Sequence, residues 1–268
     1  MAKFTVGCVP FVNARPLVAW FESLGGDSAV EVVYDLPSKL PRMLDDGKAQ
    51  AVLVSSYDAL RTEGRTIADG VCIGSDGPAE SVKLFSRVPF GQVKTLALDE
   101  SSLTSNALAL GVLRETYGAQ LVAENCPPDL DAMLAMHDAC VLIGDIGMQA
   151  DPKGLNVLDL GQAWKDMIGL PFVWAAWVGR DDLAPELVEL LNDSWRWGRE
   201  NMDRVIEAAA QKSGWGRETT DRYLRRTMRY DLDEAAKEGL NTFALMLARN
   251  GVLANPHRPR IVSPAVVS

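Results

Sequence analysis

Residues 95–145, TLALDESSLTSNALALGVLRETYGAQLVAENCPPDLDAMLAMHDACVLIGD, carry the pattern that decides the fold. An apolar run over 95–98 leads through a hydroxyl-rich turn into helical spacing over 104–117. A second run over 120–123, a helical pattern over 130–136 and a third run over 139–143 follow. Strands alternating with helices in this order imply α/β architecture, with a largely parallel sheet covered on both faces. Working outward, strand-like runs recur at 3–9, 30–34, 51–54, 71–74 and 82–86, with helical spacing at 16–24 and 38–46. After one more apolar run at 171–178 the pattern turns helical. Asp182 and Pro185 open a long helix through Arg199, and residues 219–229 form another. Asp231 with Glu234 reads as a capping box for a third, which stops at Asn250-Gly251. The tail, 252–268, holds three prolines and reads as an extended strap.

No Gly/Ser linker divides the chain. The turn-forming residues at 86–92 and those after Val178 are the crossover candidates. They predict a discontinuous first lobe, 1–87 with 179–268, around a second lobe, 88–178, and a ligand cleft between the lobes.

Composition bounds the rest. The chain has 268 residues, 47% apolar and 24% charged, with a net charge of −9. That is enough chain for a large core without disulfide or metal staples. The acidic balance argues against nucleic acid and anionic membranes, which need a basic face. No run is long enough to span a bilayer. The opening MAKFTVGCVPFVNARP has neither secretory nor transit character, which predicts a cytoplasmic location. Cys8, Cys72, Cys126 and Cys140 form no CxxC pair and read as reduced core thiols. The only histidines are His137 and His257, and no dinucleotide, phosphate-loop, zincin or nucleophile-elbow motif is present. The expectation is therefore no metal and no cofactor.

Polar residues gather instead where apolar strands end: Asn13, Ser55 with Ser56, Ser75-Asp76-Gly77, Ser81, the group Ser101, Ser102, Thr104, Ser105 and Asn106, and Asp145. Any one of these could be a helix cap or turn residue. Their repetition at strand ends, where open α/β sheets bind ligands, points to a donor-rich pocket for a small polyanion.

The segments FVNARPL, VSSYDAL, IGSDGPAESVKLFS, LALDESSLTSNAL, LIGDIGM and GLPFVWAAWV, in this order, resemble the chorismate dehydratase family of the futalosine route to menaquinone. The likeness spans residues 4–180 and continues less distinctively to about 250. Relatives often carry a Tyr-Leu pair before the Asn of FVNARPL, which is a conservative departure. The resemblance implies a two-lobed type II periplasmic-binding-protein-like fold, chorismate as the small-molecule partner, and catalytic roles for Asn13, Ser81 and Asp145. It implies substrate binding by Arg15, Ser55, Ser56, Ser102, Thr104, Ser105 and Asn106. Asn13 would meet the departing hydroxyl. The base is either Asp145 or the substrate's own enolpyruvyl carboxylate. Arg15 reads equally as a carboxylate clamp or a surface residue. Two rival readings are a non-catalytic carboxylate-binding protein and the related 1,4-dihydroxy-6-naphthoate synthase. The last helices would cover the first lobe or pair two copies as a homodimer.

Overall fold

The computed structural model describes residues 3–152 and 154–265. The opening alternation is built from β1 (Phe4–Cys8), α1 (Arg15–Leu24), β2 (Val30–Tyr34), α2 (Leu40–Asp45), β3 (Ala51–Ser55) and α3 (Ser56–Arg61). A strand of eleven residues, β4 (Arg65–Ser75), follows. Next come β5 (Val82–Ser86), β6 (Thr95–Asp99), α4 (Leu103–Tyr117), β7 (Val122–Cys126), α5 (Leu130–Met136), β8 (Ala139–Ile143), α6 (Gly144–Gln149), β9 (Asn156–Asp159) and α7 (Leu160–Ile168). The last part is β10 (Phe172–Arg180), α8 (Pro185–Glu200), α9 (Met202–Ser213), α10 (Arg217–Arg222), a π-helical turn (Tyr223–Thr227), β11 (Arg229–Leu232), α11 (Glu234–Arg249) and β12 (Arg260–Val262).

Two compact units result. The first comprises Met1–Gly74, Val173–Glu234 and His257–Ser268, and the second Ser75–Phe172 and Ala235–Pro256. Both crossings differ from the expected 1–87 with 179–268 and 88–178. β5 pairs antiparallel with β8 and β9, so residues 82–86 belong to the second sheet. β10 pairs with β3 in the first sheet. The final helix also departs from expectation, because α11 packs on the second unit. There Phe243 closes an aromatic trio with Trp164 and Phe172, at centroid distances of 4.9 to 6.1 Å.

The first sheet runs in the order β11-β4-β10-β3-β1-β2, with β12 beside β4. β2, β1 and β3 are parallel, while β10 runs against β3 and β11 against β4. The second sheet, β7-β6-β8-β5-β9, has a parallel trio, with β5 running antiparallel between β8 and β9. Both sheets are thus mixed. The central strands β1, β3 and β8 are nearly continuous buried runs, as strands covered on both faces must be.

Local expectations fail at two places. The helix predicted at 219–229 is α10 followed by the π-helical turn, and the chain is extended from Arg229. Asp231 does not cap α11; it lies in β11 and accepts a hydrogen bond from Trp195 Nε1 at 2.9 Å. The strap carries the short strand β12, and its residues 266–268 lie outside the described ones. All four cysteines are unpaired. Burial raises each thiol, that of Cys140 to about 12, and Cys8, Cys72 and Cys140 are the buried ones.

α1 and α8 meet at close range. The Ser194 hydroxyl donates to the Leu17 carbonyl at 2.7 Å, and a Cβ at Gly198 would stand 2.0 Å from the Pro16 carbonyl oxygen. Gly198→Ala should therefore destabilise the protein by about 1–3 kcal/mol in denaturant unfolding. Gly216→Ala is the control. That position has ordinary φ of −62° and open space around it, and should unfold as the wild type does.

Candidate functional site

In the second unit the predicted residues converge on one edge of the sheet. Asp99 ends β6 and is almost wholly buried. Its Oδ1 accepts from the Ser101 amide and hydroxyl at 2.9 and 2.5 Å, and its Oδ2 from the Ile143 amide at 3.3 Å. One carboxylate thus ties the start of α4 to the end of β8. Asn106, in the first turns of α4, donates from Nδ2 to the Asp99 carbonyl at 2.8 Å. Its own Oδ1 is buried with no partner among the described residues. Ser102 is the N-cap, accepting from the Ser105 amide at 3.4 Å, and Thr104 and Ser105 are buried behind it. α4 is a fifteen-residue helix, so its first turn concentrates aligned N–H dipoles suited to an anion.

Ser81 belongs to the same edge, one residue before Val82, which pairs with Ile143. Its hydroxyl is turned toward the Ala79 carbonyl at 3.4 Å. Space there is tight, since a Cβ at Gly147 would lie 2.7 Å from the carbonyl oxygens of both Ser81 and Leu142. Asp145 is in the first turn of α6, directly beyond β8. Burial raises its pKa, which makes it a stronger base than an exposed aspartate.

The loop carrying Ser81 is held by Asp159, the N-cap of α7. Asp159 Oδ1 accepts from the amides of Ala79 (2.9 Å), Gly161 (2.9 Å) and Gln162 (3.1 Å), and Oδ2 from that of Glu80 (2.7 Å). Glu80 is the one non-glycine residue with positive φ among those described, at 60°. Gly161 is required, because a Cβ there would stand 2.5 Å from the Gly77 carbonyl oxygen.

In the first unit, Asn13 follows the carboxyl end of β1, and Ser55 is the last residue of its parallel neighbour β3. Asn13 sits in a 3-10 turn (Val12–Ala14), and its Nδ2 donates to Tyr223 Oη at 3.4 Å. It does not cap α1, whose N-cap is Ala14 with no side-chain bond. Ser55 caps α3, accepting from the Asp58 amide at 3.3 Å. The fully buried Ser56 donates to the Val173 carbonyl at 2.7 Å.

Arg15 is buried rather than superficial, and its guanidinium is engaged within the fold. It pairs with Glu22 and donates to Tyr34 Oη at 2.7 Å, while that hydroxyl donates back to Glu22 at 2.5 Å. Burial disfavours the Glu22 carboxylate, but the Tyr34 and Arg15 hydrogen bonds outweigh it and hold its pKa below the usual range. The expected clamp is thus a framework pair. Asp99, Asp159 and Tyr223 were not singled out from the sequence. Asp159 had a local signal, as an acid directly before a helical stretch. Tyr223 had none, lying 210 residues from its partner.

No helix among the described residues is long and apolar enough to cross a membrane. No cluster of three or more His, Cys, Asp or Glu among them could hold a metal.

Residues 4–249 match the family model described as menaquinone biosynthesis. A chorismate dehydratase of Thermus thermophilus is 29% identical over 264 residues, covering 91% of this chain and 95% of that one. Among solved structures, a protein of Archaeoglobus fulgidus aligns with a TM-score of 0.72 at 19% identity, covering 93% of this chain and 98% of the other. The periplasmic aliphatic sulphonate binding protein of Escherichia coli aligns with a TM-score of 0.66 at 13% identity, covering 99% and 95%. The fold is that of the periplasmic binding proteins.

Two outcomes follow from the geometry. Asp159→Ala strips acceptors from four amides and should cost about 2–4 kcal/mol of stability in chemical unfolding. An unchanged midpoint would mean that the loop does not depend on this carboxylate. For Glu22, the lowered pKa means the unfolded chain binds the proton more readily. The stability difference between wild type and Glu22→Gln should be full above the ordinary glutamate value of about 4.3 and be lost as pH falls from there through the lower value of the folded state. Thermal melts from neutral to acid pH measure this, and a difference independent of pH would contradict it.

Proposed function

Because the chain belongs to the menaquinone-biosynthesis family, we propose that it dehydrates chorismate to 3-[(1-carboxyvinyl)oxy]benzoate and water. The observation that carries this reading is the match to the Thermus enzyme along almost the whole of both chains. The reading also includes a cytoplasmic location and catalysis without metal, nucleotide or flavin.

The chemistry asks little of the protein beyond position and charge. Removing the ring C3 proton sends its electron pair toward the ring carboxylate as a dienolate. Loss of the C4 hydroxyl restores that pair to the ring, which becomes aromatic. Hydroxide leaves with the proton as water. The enzyme must grip carboxylates, stabilise the dienolate and assist the departing oxygen. In the second unit, the first turn of α4 suits carboxylate binding through its aligned amides, while the unpaired Asn106 Oδ1 beside them is an acceptor suited to a hydroxyl of the substrate. Ser81 supplies a hydroxyl at the same sheet edge. In the first unit, the Asn13 amide is assigned to the C4 oxygen, since its NH2 has two hydrogens and Tyr223 takes only one. The proton acceptor is either Asp145, favoured by its raised pKa, or the substrate's own enolpyruvyl carboxylate. Ser55, Ser56 and Ser102 serve by holding α3, β10 and α4 in place.

Incubating the purified protein with chorismate and following the aromatic product by NMR tests the reading. Conversion should persist after exhaustive chelation. Asn13→Ala should lower kcat about 10²–10³-fold with KM little changed, because the interaction strengthens as hydroxide leaves. A wild type that binds chorismate without converting it would instead identify a carboxylate-binding protein. Near-normal turnover in Asn13→Ala would remove this amide from the chemistry.

A further inference from the structure

Asn13 stands on a side chain from a distant part of the chain. Tyr223 is 2% exposed, and its hydroxyl receives the Asn13 Nδ2–H at 3.4 Å. It opens the π-helical turn Tyr223–Thr227, directly after α10. Such turns are uncommon in proteins and recur at functional sites, because the wider ring redirects a side chain that regular helix would aim elsewhere.

The surroundings are unusual for an ordinary core position. Tyr223 packs edge-on to Trp215 at 5.1 Å between ring centroids. It lies close enough to Tyr230 that, after burial itself, it is the further influence raising that phenol's pKa. Asn13 Oδ1, Trp215 Nε1 and Tyr230 Oη are all buried without hydrogen-bond partners among the described residues. A buried polar atom left unpaired is costly to a fold. Three such atoms on residues that neighbour Tyr223 call for an explanation other than stability.

We propose that Tyr223 is a positioning residue for the reaction: its hydroxyl fixes the plane of the Asn13 amide, so that the remaining N–H is aimed at the departing oxygen. The proposal rests on the chorismate reading of the preceding section. A primary amide on one 3-10 turn can swing about its side-chain torsions, and a donor that must meet a leaving group gains from being held before the substrate arrives. The rigid, fully packed phenol supplies that restraint without touching the substrate.

Tyr223→Phe keeps the ring and its contact with Trp215 and removes only the hydroxyl. It should lower kcat about 10-fold with KM within about 2-fold. In the Asn13→Ala background the same change should cost nothing further, since the group it positions is gone. Unaltered kcat in Tyr223→Phe, or losses that multiply in the double variant, would overturn the proposal. If Tyr223→Phe fails to fold, the wild type still decides. Nuclear Overhauser contacts between the Tyr223 ring protons and the Asn13 side-chain amide, assigned by their loss in Asn13→Ala, are expected, and their absence overturns the pairing. A wild type inert toward chorismate would remove the premise, and is a different result from an active wild type indifferent to Tyr223→Phe.

Discussion

A single carboxylate, that of Asp159, receives four backbone amides, and the candidate site of the second unit depends on that arrangement. Two of the amides come from the first turn of α7, which any N-cap aspartate would satisfy. The other two come from Ala79 and Glu80, about eighty residues earlier, and turn a helix cap into a cross-link. The loop must follow the carboxylate closely, so Glu80 takes a left-handed conformation and Gly161 must lack a side chain. Left-handed backbone at a non-glycine residue persists only where its surroundings impose it. Ser81 comes directly after this restraint and enters β5 at fixed register opposite β8.

Asp99 acts in the same way on the neighbouring strands. It joins the α4 turn to the end of β8, so the hydroxyl and amide groups at 101–106 and the first turn of α6 share one support. Most polar side chains at this edge are already bonded to backbone. The donors offered to a ligand are therefore fixed in place beforehand, which is the condition under which they stabilise developing charge most strongly.

The alternation of strand and helix was legible in the sequence because buried parallel strands leave continuous apolar runs, as at 51–54 and 139–143. The first half of β4, RTIADG, breaks that pattern with Arg65, Asp69 and Gly70, so only its end could be read. Unit membership was not legible. Whether 82–86 or 235–249 joins one sheet or the other is decided by pairing and by the partners of Phe85 and Phe243, not by local pattern. At the site, the residues at strand ends were found from their position. The reading of Arg15 as clamp or surface residue missed the Glu22 and Tyr34 partners, because an ion pair has no signature beyond its residue types.

The return of α11 to the second unit bears on how the protein is made. On the ribosome, the strands and helices of residues 75–172 emerge early, yet the Trp164–Phe172 pair still lacks Phe243. Gly239, which a Cβ would drive to within 2.1 Å of the Pro171 carbonyl oxygen, arrives only with that same late helix. The first unit waits longer still, since β12, which joins β4, is made after α11. Neither unit is complete before α11 and β12 have been made, so neither can finish folding when its central segment first emerges. Its nascent chain carries an uncovered aromatic surface from the time Phe172 is made until Phe243 follows, the kind of surface that holding chaperones recognise.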